Sequence, residues 1–182
     1  MNMRLKVLRK QNGYSLEQLA NESGLTKSYL SKVERGLSTP SISASIAIAK
    51  VLKTEVSQLF SEANNEMIDL HRGPFTLNNS NQKLADDQKV IEVLASRVAN
   101  KTMQPFILHP AENFEEEQQY HEHEGEELLM VLDGEIEIEF PQRTEHLQMG
   151  DSVYFKSNIP HRVRRSGKAP ASALIVVSAQ TK

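Results

Sequence analysis

The 182-residue sequence contains no cysteine. Disulfides and thiolate metal sites are therefore excluded, and any metal must be held by His, Asp or Glu. Nor is there a run of about 18 apolar residues, the length a membrane-spanning helix needs, so no membrane partner is expected. The opening stretch MNMRLKVLRKQNGYS has basic residues but no apolar segment behind them, which excludes a secretory leader. These absences predict a cytoplasmic protein. What is present is a 38% hydrophobic content, enough for a real core, in a chain long enough for one ordinary domain or two small ones.

The net charge of −3 hides an asymmetry. Residues 1–60 carry nine Lys/Arg against four Asp/Glu, and residues 61–182 carry twelve against twenty. A basic part joined to an acidic part predicts two domains with different partners. The polar stretch SEANNE, residues 61–66, marks the boundary, giving domains over 1–62 and 63–182.

The first part has helical periodicity. Leu5 and Leu8 stand at i and i+3. Ser15 is placed as an N-cap, with Gln18 three residues on completing a capping box. Leu16, Leu19 and Ala20 then form an apolar stripe, and Gly24 supplies the positive φ that ends the helix. Thr26 caps the next helix, which stops at Gly36. Ser41 caps a fourth, and TEVSQLF from Thr54 gives a short fifth. In the third helix, Leu30 and Val33 face inward, whereas Lys27, Ser28, Ser31, Lys32 and Arg35 form one polar, cationic face. Two short helices joined by a turn at Gly24 make a helix-turn-helix pattern.

The stretch LRKQNGYSLEQLANESGLTKSYLSKVERGLSTPSI resembles the phage-repressor-type (XRE, HTH_3) helix-turn-helix domain of bacterial regulators. The resemblance covers roughly residues 3–60. It implies an all-α five-helix DNA-binding domain braced by an Arg9–Glu34 ion pair. It also implies base contacts from around Lys27, Ser28, Ser31 and Lys32, because the second helix of such a motif enters the major groove. Arg35, Lys32 and GLSTPS are better placed for phosphates, which set affinity and register. Thr26 and Tyr29 complete the candidate face, with Tyr29 either packing inward or touching DNA.

The second part has strand periodicity. GEIEIEF alternates, with Ile136, Ile138 and Phe140 on one face and Glu135, Glu137 and Glu139 on the other. It follows LLMVL through Asp133-Gly134, a two-residue hairpin signal. KVIEVLAS, QPFILHP, DSVYF, HRVRR and ASALIVVSA are further strands, together predicting a sandwich or small barrel.

One stretch of this part, YHEHEGEE, holds two histidines and four glutamates in eight residues. Alone it fits either a metal site or a solvated acidic surface. His121 and His123, two apart, share a side of an extended chain. Glu127 stands where a strand enters the core, a costly place for an unpaired carboxylate. Pro160-His161 opens a later strand.

Together these resemble the cupin signature. His121, His123, Glu127 and Gly134 meet each spacing of the first cupin motif, and Gly150 with His161 meets the second. The departures are Glu115, Lys156, Asn158 and Arg165, at turn-shaping positions where the family has Gly, Pro, Gly and Asn. Asn at 158 tolerates the positive φ of a glycine turn. The resemblance covers roughly residues 66–180 and implies an all-β cupin (double-stranded β-helix, jelly-roll-like) barrel. It also implies a divalent metal on His121, His123, Glu127 and His161. Zinc is the default ion, and iron, manganese, nickel and copper suit the same donors. The acidic residues Glu115, Glu116, Glu117, Glu122, Glu124 and Glu126 either raise the affinity for cations or simply solubilise the loop. Tyr120 and Tyr154 are candidate pocket residues. His71, His109 and His146 have no such partners and read as ordinary strand or loop residues.

The combination resembles one-component bacterial regulators. It implies a homodimer that binds double-stranded operator DNA and a small effector, an amino acid, amine or sulfur compound, beside the metal. A second reading is a metal-dependent cupin enzyme of the oxygenase, epoxidase or isomerase type carrying a helical domain.

Overall fold

The computed structural model describes residues 4–60, 66–72, 89–114 and 120–178. The chain divides into two compact units. One is Met1–His71 with Ala95–Lys101, the other Arg72–Leu94 with Thr102–Lys182. The boundary expected between residues 62 and 63 falls in a segment outside the described residues.

The first unit contains α1 (Leu5–Gln11), α2 (Leu16–Ser23), α3 (Lys27–Glu34) and α4 (Ile42–Val51), followed by a 3₁₀ helix over Val56–Leu59. The expected fifth α-helix is thus this one 3₁₀ turn, since four residues are too few to establish i→i+4 bonding. The caps form as the sequence dictates. The Ser15 side chain accepts from the Gln18 N–H while the Gln18 side chain accepts from the Ser15 N–H. Thr26 and Ser41 cap α3 and α4, and Gly24 takes φ +70° at the end of α2. The stripes meet in a core around Leu5, Leu19, Leu30, Val33, Ile48 and Leu59. Arg9 braces it. Its Nε donates to Glu34 Oε1 at 2.6 Å, its Nη2 to Oε2 at 3.1 Å, and its Nη1 to the Tyr14 carbonyl at 2.9 Å. Both side chains are about nine-tenths buried, a depth at which removing one partner costs about 3 kcal/mol.

The second unit is antiparallel. Its strands are β1 (Val90–Val93), β2 (Met103–His109), β3 (Glu126–Asp133), β4 (Glu135–Phe140), β5 (Arg143–Gln148), β6 (Ser152–Lys156), β7 (Arg162–Arg165) and β8 (Ser172–Ser178). A five-stranded sheet has the order β1-β2-β8-β3-β6, and a three-stranded sheet the order β5-β4-β7. Phe106, Leu129, Val131, Ile136, Ile138 and Ile175 are buried between them. This two-sheet antiparallel architecture is consistent with the expected cupin class. Among the described residues no helix is long and apolar enough to cross a membrane.

One expectation is corrected. Asp133-Gly134 is not a hairpin turn, because β3 and β4 lie in different sheets. The chain bends at Gly134, φ +70°, where an added Cβ would stand 2.5 Å from the Pro170 carbonyl oxygen. The actual hairpin joins β4 to β5, with Phe140 opposite Arg143. The glutamate face of β4 is partly covered. Glu137 is buried and Glu139 half-buried, because Arg164 and Arg162 lie across from them on β7.

Candidate functional site

The sequence nominates one site in each unit. In the helical unit, Thr26 accepts from the Tyr29 N–H at 3.1 Å and fixes the start of α3. Leu30 and Val33 point into the core. The same turn geometry leaves Thr26, Lys27, Ser28, Lys32 and Arg35 exposed and Ser31 half-buried. Tyr29 is half-buried and packs against the apolar core. Lys27 pairs with Glu17 of α2 at 3.2 Å, both side chains being mostly exposed. Such a pair contributes little, so a phosphate or base edge can displace the carboxylate.

In the strand unit, Glu127 is the first inward residue of β3. It lies opposite Phe155 on β6 and Val177 on β8 and is 3% exposed. His121 and His161 face each other in an isolated bridge, each N–H donating to the other's carbonyl at 2.8 and 2.9 Å. The His123 N–H donates to the Ser157 carbonyl at 2.9 Å. The fold thereby carries His123 Nε2 to 3.2 Å, and His161 Nε2 to 3.7 Å, from one oxygen of Glu127. Donor atoms of His123, Glu127 and His161 all lie within 4.8 Å of one another.

The hydrogen bonding around these rings favours ligation. His161 Nδ1 lies 2.9 Å from the Ile159 carbonyl and His123 Nδ1 lies 3.0 Å from that of Glu124. A carbonyl only accepts, so each Nδ1 carries a hydrogen and each Nε2 is aimed at Glu127. Phe155 fixes the His161 ring edge-on, at 4.7 Å between centroids. Burial pushes the His161 imidazole below its ordinary pKa. At His123 burial opposes the charged form too, but hydrogen bonding to Glu127 and to the Glu124 carbonyl raises the net value.

His121 stands apart from the three-residue cluster. Its Nε2 is buried without a hydrogen-bond partner among the described residues, and burial pushes its pKa down to about 4. A buried neutral imidazole with no partner is a costly arrangement that a metal ion would relieve. Donors about 2.1 Å from a tetrahedral ion stand about 3.4 Å apart, close to the spacings around Glu127. The residues present fit a divalent metal.

The two tyrosines bond away from the histidine cluster. On β6 Phe155 points inward, so Tyr154 points outward, where it is 60% exposed and bonded to Glu126. The Tyr120 hydroxyl donates to Glu139 on the three-stranded sheet. Strand alternation turns both rings away from the histidines. Among the acidic residues, Glu122 and Glu124 are exposed and Glu126 pairs with Lys156, while Glu115, Glu116 and Glu117 lie outside the described residues. The turn after β6 closes by an Ile159 N–H to Lys156 carbonyl bond of 3.0 Å, with Asn158 outside the positive-φ set. A β-turn without a left-handed residue is enough there. Arg165 is buried and donates to Glu112 and to the Lys168 carbonyl. His109, read as an ordinary residue, is buried at 2.9 Å from Glu92.

Sequence reasoning missed Glu139 and Arg162. Arg162 donates to both oxygens of Glu139, at 2.7 to 3.0 Å, and stacks over Phe114 and Tyr120. The available signal was two facing alternations, E-x-E-x-E in β4 and R-x-R in β7.

Comparison with known proteins covers both units. The HTH_3 helix-turn-helix family model matches residues 5–59, and the Cupin_2 cupin domain model matches residues 106–177. The chain is similar to the HTH-type transcriptional regulator SlrR of Bacillus subtilis, 47% identical over 57 residues, which is 31% of this chain and 38% of SlrR. The match therefore spans well under two thirds of that regulator. Similarity to the HTH-type transcriptional regulator PuuR of Escherichia coli extends over 187 residues at 27% identity, covering 98% of this chain and 92% of PuuR. Among solved structures, an HTH_3 family transcriptional regulator from Vibrio cholerae superposes with a TM-score of 0.62 at 25% identity, covering 98% of this chain and 94% of that one.

Proposed function

We propose that the chain, whose residues 5–59 match the HTH_3 helix-turn-helix model and whose residues 106–177 match the Cupin_2 model, is a transcriptional regulator that binds operator DNA. The observation that carries this reading is the exposed, cationic face of α3, set on a helix whose other side is locked into the core. The two-domain likeness to PuuR, a transcriptional regulator, along nearly the whole chain supports it. Lys27, Ser28 and Ser31 meet base edges, Lys32 and Arg35 meet phosphates, and Thr26 sets the helix start against the backbone.

The cupin domain holds one divalent metal, zinc as the default, on His121, His123, Glu127 and His161. The ion supplies a Lewis-acidic coordination position for a carboxylate, amine or sulfur atom. An effector of that kind, an amino acid, amine or sulfur compound, acts by favouring one spacing of two recognition helices in a homodimer, to the extent of its differential affinity for the two arrangements. This reading gives the protein a binding role, and the exposed cationic face of α3 supports it over the enzyme reading.

The test is DNA binding by the full chain on a fragment selected from genomic DNA of its source. Lys27→Ala with Lys32→Ala is expected to weaken binding at least tenfold. It should also flatten the dependence of log K on log salt by about one for each phosphate that is no longer neutralised. Equal affinity and slope in variant and wild type refute the assignment of the face.

A further inference from the structure

His121 and His161 sit on two chain segments that touch through one isolated backbone bridge. Two hydrogen bonds at the end of a sheet fray readily. Yet the rings these residues carry must be held to within about half an ångström if they are to serve one ion. Something must brace the bridge, and the side chains next to it do so. Tyr120 precedes His121 and Arg162 follows His161. Alternation along extended chain puts both on the face opposite the imidazoles. There they meet on Glu139 of β4. One oxygen of Glu139 accepts from the Tyr120 hydroxyl and from Arg162 Nη2 at 2.8 Å, and the other accepts from Arg162 Nε at 3.0 Å. The guanidinium lies 4.0 Å from the Phe114 ring centroid and 4.9 Å from that of Tyr120, which adds cation–π attraction. The cluster is sheltered, with Arg162 26% and Glu139 22% exposed.

Resting on the metal reading above, we propose that Glu139, with Tyr120 and Arg162, is a positioning clamp that pins the His121 and His161 segments together so that their rings converge on the metal. Glu139 touches neither ring. It acts through the two neighbours of the ligands, from a strand that contributes no ligand. The neighbouring Glu137–Arg164 pair, Nε to Oε1 2.6 Å, is the natural control. It lies on the same sheet face and has the same chemistry, but neither member adjoins a histidine of the site.

The experiment compares the wild-type full chain with Glu139→Gln, Tyr120→Phe and Arg164→Gln. Each is read by Zn²⁺ titration against a chromophoric chelator and by amide hydrogen exchange of the metal-free protein. Zn²⁺ affinity is expected to fall roughly 10- to 100-fold in Glu139→Gln, the range for partners that orient a ligand. It should fall in the same direction in Tyr120→Phe and stay within about twofold in Arg164→Gln. Exchange protection of the His121 and His161 amides is expected to fall about tenfold or more in the first two variants and not in the third. A Glu139→Gln protein with wild-type protection of both amides overturns the clamp. So does equal loss in Arg164→Gln, which reports general loosening of the sheet. Wild-type protein that takes up no Zn²⁺ overturns the metal reading instead, and the exchange data then decide the clamp by themselves.

Discussion

His121 is the residue on which the proposed metal site turns. Three donors converge without it, and its own Nε2 is buried with no partner among the described residues. If it is the fourth ligand, His121→Ala removes both a donor and an unsatisfied buried nitrogen. Metal content should then fall while the metal-free protein loses little stability, since deleting an unpaired polar group forfeits no hydrogen bond. Elemental analysis of the full chain is expected to show near-stoichiometric metal in the wild type. Content should fall several-fold in His121→Ala and to background in His121→Ala/His161→Ala. Equal content in all three sinks the ligand set. The H-x-H spacing, the glutamate and the distant histidine were all legible in sequence. The Nδ1 bonds that aim His123 and His161 were not, since they end on backbone carbonyls whose positions depend on loop geometry. The side of the strand that Tyr120 and Tyr154 take was not legible either: Tyr120 adjoins the inward His121 and Tyr154 the inward Phe155, so both rings point outward.

Elements were legible where the local pattern is strong. Helices α2, α3 and α4 begin at their capping residues because a hydroxyl satisfying an N–H is a local interaction. Strand β5, RTEHLQ, escaped notice because it is a mostly exposed edge strand, so its alternation carries no apolar amplitude. The Gly134 bend was misread because a hairpin and a corner both call for positive φ. Only the approach of Pro170 and Ala171, far along the chain, distinguishes them. That approach makes Gly134 hard to replace. A left-handed non-glycine residue costs about 1–2 kcal/mol, and a Cβ pressed against backbone adds a similar overpacking penalty. Gly134→Ala should therefore destabilise the barrel by about 3 kcal/mol in chemical denaturation. A loss under about 1 kcal/mol would show that the Pro170 segment yields.

At the scale of the whole molecule, charge and symmetry have to be reconciled with DNA. The basic part of the chain faces a polyanion and the acidic part is repelled by it, so the barrel contributes little direct affinity. A single α3 reads one half-site, and two must be held roughly 34–36 Å apart for cooperative binding. In the proposed homodimer, the barrel is the part expected to supply the surface for this pairing. On the outer face of the five-stranded sheet, Leu128 and Met130 are 38% and 40% exposed and Met103 and Tyr154 are each 60% exposed. Leu128 lies between Tyr154 and Val176 on the flanking strands. Glu126 and Lys156 stand at the rim of this patch, so a second copy related by a two-fold axis can set each charge against its opposite. A patch of contiguous apolar side chains rimmed by both charges suits a self-complementary interface. Leu128→Lys with Met130→Lys places like charges at its centre, costing on the order of 3 kcal/mol or about 100-fold in dimer affinity. The expected outcome by sedimentation is a wild-type dimer and a monomeric variant. The variant should lose affinity for a two-half-site operator but keep its metal, because both side chains point away from Glu127. A wild type that sediments as a monomer, or a variant that stays dimeric at the same concentration, removes this face from the assembly.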